Sequence, residues 1–365
     1  MTYNELIDIY IGALSDIISI DVVYGGAGEI IFKGRLNDSA LISDSLIEDR
    51  LRRLPGTPRL LSSRPNTVIQ VRIPEEIVRR PIPWLNIILF ILTVFSTILS
   101  GAGLEGMDIL GNPSLIWNNP LDIIKAGIPF SFALLGILLF HEFGHYIASR
   151  RNGVKVTLPF FVPFPNFVGT LGAVIRSKSP FINRRQLMEV GAAGPLAGVV
   201  IAIPLLIWGT AHSRFIPEPP NLDGMINLGS SLLIYVINKL FSPTPPVGMI
   251  SIIHPVAFAG WVGLLVTMLN LMPISQLDGG HILYALFGKF QHKLAYLFIA
   301  ILVALSFYWM GWLIWIVFGL LLKPNHPPTV LDDIPLERKH KIVGYICILL
   351  FIFCFMPVPI SITAP

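Results

Sequence analysis

Charged side chains are scarce in this sequence of 365 residues. Only 13% of the residues are charged, whereas 53% are hydrophobic and the mean hydropathy is +0.71. Because a soluble domain carries about 25% charged residues, this shortage excludes an ordinary soluble protein and predicts an integral membrane protein in contact with a lipid bilayer. The shortage is uneven, since residues 1–80 have the composition of a soluble domain and almost everything after Pro81 is apolar runs.

Cysteine and terminal targeting signals are also scarce. Cys347 and Cys354 lie seven residues apart in one apolar run, about 10 Å along a helix, which is too far for a disulfide. No signal peptide is expected, because Met1–Ile20 contains acidic residues and lacks a basic start before an apolar core. No motif of mixed basic and aromatic residues accompanies the net charge of +4, so nucleic acid is excluded as an expected partner.

Residues 1–80 predict a small cytoplasmic α+β domain of unknown role, without a catalytic motif. The predicted elements are a strand Glu29–Arg35, a helix Ala40–Leu54 started by Asn37-Asp38-Ser39, and two short strands Arg59–Ser63 and Thr67–Ile73.

Residues 81–365 predict an all-α polytopic membrane domain with about six to eight transmembrane helices, each of roughly 17–25 residues. The expected spans are Pro83–Ala102, Ile128–Ala148, Leu187–Gly209, Val256–Pro273, two short helices within Leu294–Leu322, and Ile342–Met356. Ile226–Leu240 is apolar but short, and is expected to lie in the interface or to dip in without crossing.

The basic loop residues orient these spans. Most lie on the side of Arg79-Arg80, and only Lys125, Arg214 and Lys239 lie on the other side. Since cytoplasmic loops carry the excess of Lys and Arg, the N-terminal domain is expected in the cytoplasm. Without a transit peptide, the expected membrane is the plasma membrane of a prokaryote.

One motif at the cytoplasmic end of the second span carries metal chemistry. In His141-Glu142-Phe143-Gly144-His145, the two histidines are four residues apart and share one helix face. Two imidazoles so placed can bind one zinc ion, and the glutamate between them can act as general base toward a water molecule. Ionisable groups at membrane depth are costly unless they are paired or bind metal.

Catalytic zinc takes three protein ligands, so a further ligand must come from elsewhere in the chain. The ionisable candidates at membrane depth are Glu189, Asp278 and His281 on the cytoplasmic side and His254 at the far end of a span. The fourth span runs in the same direction as the second and ends just before Asp278, at the depth of the histidines. Asp278 is therefore predicted as the third ligand.

The other polar residues favour less specific roles. Glu189 is expected at the interface near Arg185, and His281 is expected to orient its surroundings. His212, His292, His326 and His340 are expected in solvated loops.

The motif around His141, followed by Asn270-Leu271-Met272-Pro273 and Leu277-Asp278-Gly279-Gly280, resembles the site-2 protease family of intramembrane metalloproteases. Gly191–Gly198 (GAAGPLAG) and His254–Gly263 (HPVAFAGWVG) are similar to the branch shared by prokaryotes and plant plastids. The resemblance covers a core of about 125–285. The PDZ and CBS domains of other branches are not seen in the sequence.

The resemblance implies an intramembrane zinc metalloprotease that hydrolyses peptide bonds within or near transmembrane segments of membrane proteins. In that family the two histidines and the aspartate, here His141, His145 and Asp278, bind Zn²⁺, and the glutamate, here Glu142, is the base. The segment Gly169–Ile175 is short, Gly-flanked and β-prone, so its residues Gly169, Thr170, Leu171 and Gly172 are expected to offer a strand edge to an unwound substrate. Asn270 is expected to bind the substrate backbone or the developing oxyanion.

Two alternatives stay open. A membrane metal-ion transporter would use the same ligands as a permeation site, but it needs further polar groups along the spans, and the external halves have almost none. A non-proteolytic relative that only binds membrane proteins would have lost the glutamate or a ligand, yet Glu142 and Asp278 are present.

Overall fold

The computed structural model describes residues 3–26, 28–37, 42–73, 83–109, 111–219, 225–274 and 276–362. Two parts of the prediction fall outside these ranges: Asp38 and Ser39 of the predicted helix start, and Arg79-Arg80 beside the boundary at residue 80.

The N-terminal domain is a four-stranded antiparallel sheet with two helices. Its elements are α1 (Tyr3–Leu14), β1 (Ile18–Gly26), β2 (Glu29–Leu36), α2 (Asp44–Arg52), β3 (Thr57–Ser62) and β4 (Thr67–Arg72). The strand order is β1-β2-β4-β3. This confirms a sheet region near the N-terminus. The predicted helix is shorter than expected, because Ser43 caps it by accepting a hydrogen bond from the Leu46 amide.

The sequence analysis missed α1 and β1. The signal for α1 is present as Leu6, Tyr10 and Leu14, which are spaced four residues apart and are all buried in the domain core.

The two faces of the sheet pack against different partners. Ile30 and Phe32 point to one face and join the hydrophobic core with α1 and α2. Ile31, between them, points to the other face and packs with Val330 and Leu331 of the membrane domain. Because β2 is buried on both sides, the domain is docked rather than tethered.

The membrane domain is a helix bundle. Its helices are α3 (Trp84–Leu104), α4 (Leu115–Asn118), α5 (Pro120–Arg151), α6 (Arg184–Ala211), α7 (Leu232–Phe241), α8 (Pro255–Asn270), α9 (Asp278–Phe287), α10 (Gln291–Ser306), α11 (Trp312–Leu321) and α12 (Arg338–Cys354). Among the described residues, four helical stretches are long and apolar enough to cross a membrane: Trp84–Leu104, Pro120–Arg151, Arg184–Ala211 and Asp278–Ser306, the last joining α9 and α10. The chain is therefore a membrane protein.

The helix bundle has two ends, the docking end and the far end. The docking end is where α5 ends at Arg151 and α6 begins at Arg184, beside the N-terminal domain. The far end is where α6 ends at Ala211 and α8 begins at Pro255.

Three two-stranded antiparallel sheets interrupt the helices, so the membrane domain is not all-α. They pair β5 (Phe160–Pro163) with β6 (Thr170–Val174), β7 (Arg214–Pro217) with β9 (Met249–Ile252), and β8 (Ile226–Leu228) with β10 (Ile360–Ile362). The strands are three to five residues long, which leaves little local periodicity to read, and the β7–β9 and β8–β10 pairs also join distant segments of the sequence. α7 lies between β8 and β9 and has ten residues, too few to span a bilayer.

The β5–β6 hairpin lies along α3. Asn86 donates hydrogen bonds to the carbonyl oxygens of Leu158 and Pro159, and Ser100 donates one to the carbonyl of Asn166. These anchors are 14 residues apart on α3, so the hairpin follows the helix for about 21 Å. Irregular backbone at membrane depth must be satisfied by the protein itself, and the polar side chains of α3 do this.

Residues 324–337, here called the strap, join the two domains to each other. The Leu331 amide donates to the Ile182 carbonyl at 2.6 Å, and the Lys33 ammonium of the N-terminal domain donates to the Val330 carbonyl at 2.7 Å. Asp332 accepts hydrogen bonds from Arg184 at the start of α6 and from Tyr284 of α9 at 3.0 Å each. The strap therefore contacts the sheet, α6 and α9 together.

Replacing Ile31 by Asp is expected to undock the N-terminal domain, because an unpaired carboxylate in this contact costs about 3 kcal/mol or more. Hydrogen exchange should accelerate at the Val330 and Leu331 amides and stay slow within the sheet. Val22→Asp, at an exposed position of β1, is the control and should leave the exchange rates of the two strap amides and of the sheet unchanged. Faster exchange throughout the sheet would mean unfolding instead of undocking.

Candidate metal centre

Helix α5 places two imidazoles side by side inside the bundle. His141 and His145 are one turn apart, and their Nε2 atoms are 3.2 Å from each other. The side chain of His141 is 4% exposed and that of His145 is 12% exposed. They lie ten and six residues before the end of α5, about 15 and 9 Å from the docking end.

Asp278 completes the cluster from the first residue of α9. Its Oδ2 atom lies 3.4 Å from His141 Nε2 and 3.2 Å from His145 Nε2. Among the described residues, these three side chains form the one group of three or more His, Cys, Asp or Glu whose ligand atoms all lie within 4.8 Å of one another. Asp278, which the sequence analysis selected by its depth along the spans, therefore lies beside the two histidines.

The donor set fits a metal ion. The Val190 carbonyl lies 2.8 Å from His145 Nδ1, so a neutral ring donates its proton there and keeps the Nε2 lone pair for a ligand. Two imidazole nitrogens and one carboxylate oxygen, with room for a fourth group, are the donors that catalytic zinc uses.

Glycines on α6 make room for the imidazoles. A Cβ atom at Gly194 would overlap the ring of His145, and one at Gly198 would lie 3.2 Å from His141 Nδ1. From the other helix, a Cβ at Gly144 would press into the Ala193 carbonyl. The GAAGPLAG segment thus lets α5 and α6 approach closely around the cluster.

Gly279 plays the same part for Asp278. A Cβ atom there would overlap the Leu271 carbonyl, so only glycine lets the start of α9 lie against the chain that leaves α8.

Two further predicted residues lie beside the cluster. Glu142 is 5% exposed and follows His141 on the same helix. The Asn270 Nδ2 atom, at the end of α8, lies 3.2 Å from His141 Nε2. A buried carboxylate and an amide are therefore both available next to the candidate metal ligands.

The predicted substrate strand has its own contacts. The Gly169 carbonyl accepts a hydrogen bond from Ser96 of α3 at 2.6 Å, and Thr170 Oγ1 donates to the Val162 carbonyl at 2.8 Å. Gly172 has φ +100°, a conformation that favours glycine, and its amide donates to Thr170 Oγ1. Leu171, by contrast, is 64% exposed. In the described part of the chain β6 has one strand partner, and its other edge has none.

Glu189 lies where expected, with Arg185 Nε 3.1 Å from its Oε1 atom. The same oxygen is 2.8 Å from His340 Nε2, and Asn152 donates to the other oxygen. The expectation of a solvated His340 was wrong: it lies in α12 with 4% of its surface exposed, because α12 starts one turn earlier than its apolar run suggests.

His326 was also expected in solvent, and it is buried in the strap. It stacks on the ring of Tyr284 with 4.6 Å between centroids. Burial lowers the pKa of His326 to about 4, so the ring is neutral near pH 7. Its Nδ1 donates to the Pro327 carbonyl, which leaves Nε2 to accept a hydrogen bond from His281 Nδ1 at 2.7 Å. No local sequence pattern predicts the contact between His281 and His326, because 45 residues separate them.

Comparison with known proteins decides the family. The profile of peptidase family M50 matches residues 129–313, which include the two histidines of α5 and Asp278. The chain belongs to peptidase family M50. This confirms the resemblance to the site-2 proteases.

Curated relatives from plants are similar to this family M50 protein. They include "Probable zinc metalloprotease EGY1, chloroplastic" of Oryza sativa subsp. japonica, 32% identical over 56% of this chain and 38% of the relative. They also include "Probable zinc metalloprotease EGY2, chloroplastic" of Oryza sativa subsp. indica, 27% identical over 91% of this chain and 62% of the relative. The chain therefore spans less than two thirds of the length of these relatives.

Replacing Gly194 by Ala is expected to weaken metal binding by about 5- to 150-fold, because the added methyl group displaces the His145 ring at a cost of about 1–3 kcal/mol. Metal content after equilibration with a buffered divalent ion measures this. The control is Gly136→Ala on α5, where a Cβ meets nothing within 4 Å. Equal loss in both variants would point to general helix destabilisation.

Proposed function

We propose that this protein is an intramembrane zinc metalloprotease that hydrolyses peptide bonds within or near transmembrane segments of membrane proteins. The observation that carries the proposal is the convergence of His141, His145 and Asp278 beside a buried glutamate, within helices apolar enough to span a membrane. Membership of peptidase family M50 and the names of the plant relatives support it.

His141, His145 and Asp278 would hold the zinc ion. When bound, zinc supplies Lewis acidity, which polarises a scissile carbonyl and makes water acidic enough to lose a proton near neutral pH. Glu142 takes the proton from the attacking water and delivers it to the leaving amine, as a general base and then a general acid. Asn270 donates from its amide to the substrate carbonyl oxygen as negative charge develops there.

The β5–β6 hairpin is proposed to hold the substrate. A peptide bond inside a helix is closed by its own hydrogen bonds, so the substrate must be extended before attack. β6 contacts α5, and the edge of β6 that has no strand partner in the described residues could pair with such a segment. Of the four residues predicted here, Leu171 is the exposed one, while Gly169, Thr170 and Gly172 shape the hairpin.

The proposal also covers the side of the membrane on which the docking end lies and the roles of the two domains. Residues 1–80 form a cytoplasmic domain docked to a membrane metalloprotease domain of residues 81–365, with the catalytic core at about 125–285. α8 and α12, with 16 and 17 residues, add two spans to the four long stretches, which gives six and falls within the six to eight expected. The basic loops at the docking end support its placement in the cytoplasm. The plasma membrane of a prokaryote stays a prediction, and the relatives named above are chloroplastic.

The transporter alternative has little support in the structure. A permeation path needs polar groups from the cluster to the far end. Among the described residues of this half of the bundle, the buried polar contacts involve uncharged hydroxyl groups: Thr97 and Ser131 lie 2.7 Å apart, and Thr267 donates to the Gly263 carbonyl. A binding-only relative is disfavoured because Glu142 and all three ligands are in place.

Replacing Glu142 by Gln is expected to lower the cleavage rate by about 10²–10⁴-fold and to leave bound zinc near one per chain, because the ligands remain and the base is lost. The purified protein would be assayed on a panel of single-span substrates, with the cut position read by mass spectrometry. Glu105→Gln, at the far end of the bundle, is the matched control. Equal cleavage by all three proteins would show that Glu142 is not the base.

Replacing Asn270 by Ala is expected to lower kcat about 10²-fold with little change in KM, because the amide acts on the transition state. Asn86→Ala, which removes the hairpin anchor on α3, should instead raise KM. A larger effect of Asn270→Ala on KM than on kcat would assign it to ground-state binding.

A further inference from the structure

An apolar slot lies between α9, α10 and α12. It has a volume of about 380 Å³. Its walls are apolar side chains from all three helices, among them Leu283, Leu294 and Ile348. It is more than twice the size of the cavity of about 150 Å³ that takes up benzene in another protein.

The slot opens toward the lipid. Leu297 and Ile301, on its α10 wall, are 59% and 45% exposed. A cavity without polar groups gives water no hydrogen-bond partners. In a bilayer, the material available to fill it is hydrocarbon.

The slot runs from the docking end down to the metal centre. Its upper wall is Phe290, in the turn between α9 and α10. This turn lies at the docking end, because a Cβ at the neighbouring Gly288 would meet the guanidinium of Arg184, the first residue of α6. Its lower wall includes Gly279, the residue after Asp278. Along α10 the lining extends from Phe290 to Ile301, eleven residues or about 16 Å. One leaflet of the hydrocarbon core is about 15 Å thick, so the slot matches a single acyl chain in length.

Three lysines lie near the docking-end termini of helices that line the slot. Lys289 and Lys293 lie in and just after the turn, and Lys341 lies in the first turn of α12; all three are exposed. The Lys293 ammonium lies 5.8 Å from the centroid of the Phe290 ring, directly beside the slot. In the described part of the chain none of the three has an ion pair, whereas neighbouring Lys339 pairs with Glu337.

We propose that the slot holds one acyl chain of an anionic phospholipid, with its phosphate at Lys289, Lys293 and Lys341. Basic pockets between transmembrane helices bind anionic headgroups, and the lysines and the slot are placed end to end as headgroup and chain require. The lipid tail then ends beside Gly279 and packs the outer face of α9. This inference rests on the membrane location of the chain and does not require proteolysis.

Native mass spectrometry of the full-length protein in detergent tests the proposal, with phosphatidylglycerol and phosphatidylcholine of identical acyl chains as probes. The unaltered protein should bind one phosphatidylglycerol in clear preference to phosphatidylcholine. Lys289→Gln with Lys293→Gln should reduce that preference by about fivefold for each lysine. The control, Arg176→Gln with Lys178→Gln, removes two charges at the docking end away from the slot and should keep the preference.

A second set of variants tests the slot itself. Leu294→Trp and Ile348→Trp fill it from opposite walls and should abolish binding of both lipids while the unfolding temperature is kept. The two substitutions lie on different helices, so loss of lipid binding in both variants would be due to filling of the slot and not to a local folding defect in one helix.

Four results would overturn the proposal: no bound lipid in the unaltered protein, lipid binding unchanged in both Trp variants, equal loss of preference in the control pair, or displacement of phosphatidylglycerol by glycerol phosphate alone. A dimer that forms in place of the lipid complex, or displacement of the lipid by a single-span substrate, would assign the slot to a second copy or to substrate. Zinc content measured in the same samples separates these outcomes from failure of the metal site.

Discussion

The close contact between α5 and α6 is the constraint on which the metal centre depends. Two imidazoles and a carboxylate can converge inside an apolar bundle only if the neighbouring helix has no side chain in the way. Gly194 and Gly198 provide that space, and the Val190 carbonyl, on the same helix, fixes the tautomer of His145. Helix α6 therefore supplies both the space for the imidazoles and the hydrogen bond that orients His145, while the candidate ligands lie on α5 and α9.

Backbone hydrogen bonding sets the second constraint, because a β-hairpin next to lipid would leave carbonyl groups unpaired. α3 removes this cost with Asn86, Ser96 and Ser100, which face the hairpin along one side. The polar residues of this span thus explain how an irregular segment is held beside α5. They also leave one strand edge available where an extended peptide could be received.

The sequence was most informative where local pattern and chemistry coincide. The i, i+4 spacing of His141 and His145 and the depth of Asp278 predicted a cluster that the structure assembles, and long apolar runs predicted the membrane helices. The roles of these residues stay proposals.

Contacts between distant segments were not predictable from the sequence. Nothing local in the sequence of the strap indicates that Asp332 meets Arg184 and Tyr284. His326 and His340 were misplaced for the same reason: burial depends on packing partners far away in the sequence.

The strap has a thermodynamic consequence. It contacts the N-terminal sheet through Val330, and α9, the helix that begins with the metal-ligand candidate Asp278, through Asp332. Docking of the domain and binding of a metal ion therefore belong to one closed cycle of free energies. Whatever factor docking applies to metal affinity, metal binding applies to docking. A molecule that shifted docking by binding only the N-terminal domain would therefore change metal affinity wherever that factor differs from one, and metal binding would change the affinity for that molecule in the same direction.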